Sequence, residues 1–245
     1  MTKNAVPPYT SAFFADQAAG SARSASVVVP LVLSLLPAQS VVDIGCGVGT
    51  WASEFVANGV TDVLGIDGDY VDRSQLRISP SRFLVRDITE SLQLDRTFDL
   101  AVCLEVAEHL PESRARGLVA DLTALASCVL FSAAVPGQRG THHINSQYLP
   151  YWIDCFQRQG YEGIDPIRPK ILGNNEVEWW YQQNTIMFAA PQHPLLAMGF
   201  QRPRTFIHED LYELVRNPGP PPLGRLVSAF PHSVARSVRY HLGLR

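Results

Sequence analysis

The sequence has no excess of positive charge and no long apolar run. Its formal net charge is −3 at pH 7, whereas nucleic-acid-binding domains usually carry a basic patch or stripe. The apolar run from Val27 to Leu36 is too short to span a bilayer and is interrupted by Pro30 and Ser34. The segment from Met1 to Thr10 lacks the apolar core of a signal peptide. These absences predict a cytoplasmic protein with no nucleic-acid partner and no membrane span.

Cysteine is scarce and shows no pairing pattern. The four cysteines are Cys46, Cys103, Cys128 and Cys155, and none forms a C-x-x-C pair. Three of them lie in apolar segments, which favours reduced, buried thiols over a disulfide framework. The length of 245 residues and the hydrophobic content of 46% fit a soluble globule with one substantial core and an added segment.

Apolar segments alternate with helix-like segments along most of the chain. Strands are predicted at about 40–44, 60–66, 83–85, 98–104 and 128–134, and helices at about 24–36, 50–58 and 112–126. This alternation predicts an α/β fold, a Rossmann-like, doubly wound and mostly parallel seven-stranded sheet. A helix at 148–159 and two strands at 161–168 and 177–189 are expected to close the sheet in antiparallel fashion.

The same pattern divides the chain into two parts. Residues 1–190 are predicted to form the Rossmann-like domain, including an N-terminal lid or helix. Residues 191–245 are rich in proline and are predicted to form a C-terminal appendage, with a helix at about 223–244. We expect this appendage to wrap the core or to mediate homo-oligomer formation.

Three glycines at alternate positions follow the first predicted strand. Gly45, Gly47 and Gly49 form a G-x-G-x-G turn, and Asp43 precedes it. Glycine at such positions permits a tight turn and a close approach of the backbone to a ligand. The pattern resembles the first motif of class I S-adenosylmethionine-dependent methyltransferases, whereas dinucleotide enzymes more often show G-x-G-x-x-G. The resemblance implies that Asp43, Cys46 and the glycines lie against the methionine part of the cofactor.

Two further carboxylates follow the second and third predicted strands. The resemblance, which covers about residues 9–190, implies that Asp67, followed by Gly68, accepts the ribose hydroxyls. It also implies that Asp87 accepts from the adenine amino group while Ile88 packs on the ring. The alternative is that Asp67 and Asp87 are ordinary polar residues at strand ends. Their order and spacing after the glycine turn favour an S-adenosylmethionine site.

A second cluster of polar residues follows the fourth predicted strand. In a helical turn, Glu105, Glu108 and His109 stand at i, i+3 and i+4 and share one face, and Glu105 also faces the predicted cofactor. Two carboxylates and an imidazole can bind a divalent ion, Mg²⁺ or Mn²⁺. The E-x-x-E-H pattern resembles metal-dependent O-methyltransferases of small RNAs and of catechol-like quinone precursors. Other methyltransferases carry E-H-L here without a metal, so the alternative is a histidine that only packs or caps.

The loop after the fifth predicted strand offers two histidines. In the metal-dependent families, a histidine from this loop completes the metal site. Here we favour His143 as a metal ligand and His142 as a base, although the two assignments can be exchanged. The H-x-N pattern that ends at Asn145 resembles methyltransferases of glycan and natural-product pathways, which implies an acceptor contact for Asn145. The predicted catalytic residues are therefore His142, His143 and Glu108.

Aromatic residues suggest the class of acceptor. Trp179, Trp180 and Tyr181 cluster near the last predicted strand and can either stack on a sugar or fill the core. The order of motifs resembles methyltransferases of polysaccharide and glycolipid biosynthesis, including those that methylate mannose in mycobacterial polysaccharides. The resemblance implies methylation of a sugar hydroxyl in a small molecule or oligosaccharide. The alternatives are a phenolic or catechol-like acceptor, or a non-catalytic cofactor-binding scaffold.

Overall fold

A seven-stranded sheet forms the centre of the molecule, and the computed structural model describes residues 11–217. The strands are β1 (Ser40–Ile44), β2 (Asp62–Asp67), β3 (Phe83–Val85), β4 (Leu100–Leu104), β5 (Cys128–Ser132), β6 (Glu162–Ile164) and β7 (Ile186–Ala189). The helices are α1 (Ser11–Leu35), α2 (Thr50–Ala57), α3 (Glu112–Leu125), α4 (Leu149–Gln157), α5 (Arg168–Ile171), α6 (Trp179–Asn184) and α7 (Glu209–Arg216). The sequence prediction of a seven-stranded, Rossmann-like α/β fold is confirmed.

The order of strands in the sheet is β3-β2-β1-β4-β5-β7-β6. The first five strands run parallel, and β7 pairs antiparallel with both β5 and β6. The strand order reverses between β1 and β4. Ligands of open α/β sheets bind beyond the carboxyl ends of the strands at such a reversal. The loops after β1 and β4 are therefore the expected place for a site.

Helices cover both faces of the sheet because its central strands are apolar on both sides. In β1, Val42 and Ile44 face the cluster formed with α3 and α4, whereas Val41 faces the cluster formed with α1 and α2. All five residues of β4 and of β5 are buried. A continuous apolar strand is typical of a parallel sheet covered on both faces.

Two predicted elements differ from the structure by more than a few residues at one end or in type, and the strand predicted at 161–168 is shortened to Glu162–Ile164. The first helix begins at Ser11, well before the predicted start at residue 24. Residues 177–189, predicted as a single strand, hold the short helix α6 and then β7. The tryptophans of this segment therefore lie on a helix.

The described chain divides into two compact units, residues 11–208 and residues 209–217. Residues 191–208 lie in the unit that holds the sheet, and the domain boundary at residue 190 stays a prediction. The expected lid around Tyr9 and the helix at about 223–244 lie outside the described residues. In the described part of the chain, no helix is both long and apolar enough to cross a bilayer.

Candidate active site

The glycine loop after β1 is a tight, left-handed turn. Gly45, Gly47 and Gly49 have φ angles of +73°, +54° and +80°, a region that favours glycine. A Cβ atom on Gly45 would lie 2.5 Å from Cγ2 of Val106 in the loop after β4. The backbone N–H of Gly45 donates to the carbonyl of Ile66 at 2.8 Å. The loop thus packs closely between the ends of β2 and β4, where a side chain does not fit.

Asp67, the last residue of β2, is oriented by backbone donors. Its Oδ2 accepts from the N–H of Gly47 at 2.6 Å, and its Oδ1 accepts from the N–H of Gly68 at 2.7 Å and from the Tyr70 hydroxyl. Asp67 is buried, and burial raises the pKa of its carboxyl even though these hydrogen bonds lower it. The carboxylate therefore lies fixed beside the glycine loop. Sequence reasoning missed Tyr70, which stands in the polar turn after Asp67.

Asp43 and Cys46 belong to the same region, where Asp43 is buried and Cys46 is half-buried. Burial, together with the nearby charge of Asp67, raises the pKa of Asp43 to about 7. Burial also raises the pKa of the Cys46 thiol well above its ordinary value, so this cysteine stays a neutral thiol. Asp43 Oδ2 has no hydrogen-bond partner among the described residues. A cationic ligand group would compensate this buried oxygen.

Asp87 and Ile88 follow β3 and face different surroundings. Asp87 is exposed, and hydrogen bonds from the hydroxyl and N–H of Thr89 lower the pKa of its carboxyl. Ile88 is buried and belongs to the core cluster that packs against α3 and α4. Asp87 is therefore open to a ligand, and the adenine contacts of both residues stay predictions.

Glu108, His109 and His143 bring three potential ligand atoms together. The candidate atoms lie within 4.8 Å of one another, and Nε2 of His143 is 4.0 Å from Oε1 of Glu108. The two imidazole rings are 4.9 Å apart at an interplanar angle of 75°. We call these three residues the Glu-His-His cluster. Glu108 and His109 come from a 3₁₀ helix at Ala107–His109, and His143 comes from the loop after β5.

The protonation states of the Glu-His-His cluster follow from its burial. Burial and the nearby His143 lower the pKa of His109 to about 4, and burial lowers the pKa of His143 as well. Both imidazoles are therefore neutral at neutral pH, as metal coordination requires. Burial and then the charge of Glu105 raise the pKa of Glu108 well above its ordinary value. Neither carboxylate oxygen of Glu108 has a hydrogen-bond partner among the described residues, which is costly without a proton or a cation.

Glu105 is not one of the three residues whose candidate ligand atoms lie within 4.8 Å of one another, and its place in the predicted ligand set stays a prediction. Its φ of +54° interrupts the expected helical turn, although its carboxyl stays close enough to raise the pKa of Glu108. Its Oε2 accepts from Nε2 of Gln138 at 2.6 Å and its Oε1 from Nδ2 of Asn184 at 3.2 Å. Its carboxylate is thus already held by two amides. Sequence reasoning missed Gln138 and Asn184, although Asn184 ends a W-Y-x-x-N pattern.

The remaining predicted residues of the loop after β5 lie beside the cluster. His142 is exposed and has a φ of +60°. The backbone N–H groups of Ile144 and Asn145 both donate to the carbonyl of Glu108 at 2.9 Å, which fixes this loop to the turn that carries the cluster. Asn145 is buried, and its Nδ2 has no hydrogen-bond partner among the described residues. This amide can donate to a ligand oxygen.

The aromatic residues of α6 are used mainly in packing. Tyr181 is only 4% exposed, and its hydroxyl hydrogen-bonds Ser21 Oγ at 3.1 Å and accepts from Trp51 Nε1 at 3.3 Å. Its ring therefore offers no free face to a sugar, contrary to the prediction. Trp180 is half-buried against the core, and Trp179 is half-buried with its ring 6.2 Å from that of His208. Trp179 and Trp180 as sugar contacts stay predictions.

A family model matches part of the chain. Residues 14–130, just under half of the chain, match a family model described as a methyltransferase domain. Among curated proteins, none matches the sequence. The matched residues include the glycine loop after β1, Asp67 and the turn that carries Glu108 and His109.

Solved structures share its fold at low identity. An amino pentose methyltransferase from Micromonospora echinaspora, solved with S-adenosylmethionine, is 15% identical with a TM-score of 0.55, over 77% of this chain and 99% of that one. A candidate O-methyltransferase from Nostoc punctiforme is 12% identical with a TM-score of 0.56, over 72% of this chain. The present chain spans only 59% of the length of that protein. These likenesses concern the fold.

Proposed function

We propose that this protein is an S-adenosylmethionine-dependent O-methyltransferase that acts on a sugar hydroxyl with the help of a divalent cation. The observation that carries the proposal is the Glu-His-His cluster, with its two neutral imidazoles and a buried carboxylate that no described residue satisfies. It stands at the carboxyl ends of β4 and β5, next to the glycine loop. The sugar acceptor rests on the resemblance of the motif order and on the tryptophans of α6.

Residues in β1 and β2 and in the glycine loop are proposed to hold the cofactor. Asp67 presents a fixed carboxylate to the two ribose hydroxyls, and the glycines keep side chains out of the space beside it. Asp43 offers a buried, unpaired oxygen to a cationic group of the methionine part. S-adenosylmethionine supplies an activated methyl group. The contribution of these residues is to hold it in line with the acceptor oxygen.

The Glu-His-His cluster fits a divalent cation in its donor chemistry. One carboxylate and two imidazoles suit Mn²⁺ or a similar transition metal better than Mg²⁺, which prefers oxygen ligands. A bound divalent cation lowers the pKa of a coordinated hydroxyl and orients it. His142, exposed in the adjoining loop, is the proposed proton acceptor, and Asn145 is the proposed donor to a second acceptor oxygen. An acceptor with neighbouring hydroxyl groups follows from this arrangement.

Methyl transfer to a panel of acceptors tests the proposal. The panel contains glycosides with free vicinal hydroxyls, matched glycosides with one of them blocked, and simple catechols. We expect transfer to a free glycoside, loss of transfer with a chelator, and recovery on addition of Mn²⁺. Glu108→Gln is expected to lower the rate at least about 100-fold, a loss typical of removing a group that acts at the reacting atoms. Glu176→Gln, an exposed carboxylate outside the site, is the matched control.

The outcomes separate the parts of the proposal. Methyl transfer that is unchanged by the chelator and by Glu108→Gln would refute the proposal that a divalent cation assists the reaction. Transfer to catechols alone would overturn the sugar acceptor and leave the enzyme class intact.

A further inference from the structure

Asn184 lies at the end of α6, and its side chain hydrogen-bonds none of the three residues of the Glu-His-His cluster. Its Nδ2 donates to Oε1 of Glu105 at 3.2 Å and to Oε1 of Gln138 at 2.9 Å. Its Oδ1 accepts from Nε2 of Gln183 at 2.9 Å. The side chain is buried. One amide thus joins the loop after β4, through Glu105, to the loop after β5, through Gln138.

Gln138 also contacts His143. The Gln138 side chain donates to Glu105 at 2.6 Å, and its backbone carbonyl lies 3.2 Å from Nδ1 of His143. A carbonyl can only accept, so this hydrogen bond requires the proton on Nδ1 and leaves the lone pair on Nε2. Nε2 is the atom that faces Glu108 at 4.0 Å. Hydrogen bonds of this kind orient metal-ligating histidines in proteins.

Glu105 links the network to Glu108 through the backbone. Its backbone N–H donates to the carbonyl of Ser132 at 3.0 Å and to the Ser132 hydroxyl at 3.1 Å. A left-handed conformation is unfavourable for a non-glycine residue, and it persists only where surrounding contacts hold it. The two amides on the Glu105 carboxylate are such contacts. The conformation of Glu105 sets the direction of the 3₁₀ turn that begins two residues later and carries Glu108 and His109.

We infer that Asn184 is a positioning residue for the Glu-His-His cluster and, with Gln138, sets its affinity for a divalent cation. This inference rests on the proposed function, because it concerns the same cation. The amide network holds the turn with Glu108 and the loop with His143 at one mutual distance, although the two segments come from different strands. Loss of the network lets these segments move independently, so a site for the cation forms less often.

Mn²⁺ binding to the purified full chain tests the inference, measured from the electron paramagnetic resonance signal of the free ion. Asn184→Leu and Gln138→Met remove the network from its two ends and conserve most of the volume. Each is expected to raise the Mn²⁺ Kd about 10- to 100-fold, as the loss of residues behind metal ligands does elsewhere. Having two variants keeps the test valid if one of them does not fold.

Gln182→Met is the matched control. Gln182 is a buried amide on the same helix, and its side chain bonds Gly173, Asn174 and Val177, away from the cluster. We expect it to lower the unfolding midpoint and to leave the Mn²⁺ Kd unchanged. An unchanged Kd in both network variants, or an equal rise in the Gln182 variant, would overturn the inference. Absence of Mn²⁺ binding by the parent protein would instead overturn the cation of the proposed function, and the inference with it.

Discussion

Replacing Asp43 by asparagine is expected to stabilise the cofactor-free protein at alkaline pH. Asp43 is 3% exposed on β1, and burial together with the charge of Asp67 raises its pKa from an ordinary 3.8 to about 7. The folded protein therefore binds this proton more tightly than the unfolded chain. The resulting stabilisation is fully present below pH 3.8 and is lost as the pH rises through 7. The difference corresponds to roughly 4 kcal/mol.

Urea unfolding at pH 5 and at pH 8, without cofactor, measures this effect. An amide resembles the neutral carboxylic acid, but at pH 5 the carboxyl is already ionised in the unfolded parent, so we expect Asp43→Asn to be more stable than the parent by roughly 1.7 kcal/mol at that pH. At pH 8 the parent carries a buried charge, and we expect the variant to be more stable by a few kcal/mol. Equal pH dependence of the two proteins would refute the reasoning.

Asp99→Asn is the control of opposite sign. Burial raises the pKa of Asp99, but hydrogen bonds from the backbone N–H groups of Gln39 and Ser40 lower it overall. The stabilisation by Asp99 is therefore present above its unfolded pKa and is lost as the pH falls. Asp99→Asn is expected to destabilise the protein at both pH 5 and pH 8.

Saturating S-adenosylhomocysteine, which carries an ammonium group, is expected to reverse the advantage of Asp43→Asn at pH 8.

Three further substitutions test separate contacts of the site. Asp67→Asn is expected to weaken S-adenosylhomocysteine binding at least about 10-fold in calorimetry, since hydrogen bonds to a charged group contribute about 1.5–3 kcal/mol; unchanged binding would contradict the ribose contact. Tyr70→Phe removes the phenol hydroxyl that donates to the same carboxylate. Because the hydroxyl then no longer competes with the ligand for this carboxylate, S-adenosylhomocysteine binding is expected to tighten about 5-fold. Weaker binding would mean that the phenol supports the ligand. Gly140→Ala places a Cβ 2.0 Å from Nε2 of His143, so the ring must move by over 1 Å and Mn²⁺ binding is expected to fall about 100-fold. Gly117→Ala, whose Cβ meets the remote Arg114 side chain, is its control and is expected to bind Mn²⁺ like the parent.

The sheet was largely predictable because its strands are short apolar runs between clear turn residues. Both ends of β1 and of β3 agree with the prediction, and β5 begins at the predicted residue. The sequence did not reveal α6, because a helix of six residues is too short to show a helical period. Its residues Trp179, Trp180 and Tyr181 also have high strand propensity, which favoured the wrong element.

The chemistry of the site was only partly predictable. The pattern around Glu108, His109 and His143 identified the three residues that come together, because loops after parallel strands meet at one edge of the sheet. The left-handed conformation of Glu105 left no trace in the sequence, since glutamate seldom adopts it. Its partners Gln138 and Asn184 lie 33 and 79 positions away along the chain. Only the tertiary fold brings them together.

A titration of the parent protein and of Glu108→Gln with Mn²⁺ tests the central claim most directly. The number of ions bound per chain is read from the signal of the free ion. The account predicts one ion per chain in the parent and binding weakened at least about 100-fold in Glu108→Gln, because the neutral amide removes the only charge that the Glu-His-His cluster offers to a cation. Equal binding by the two proteins would contradict it.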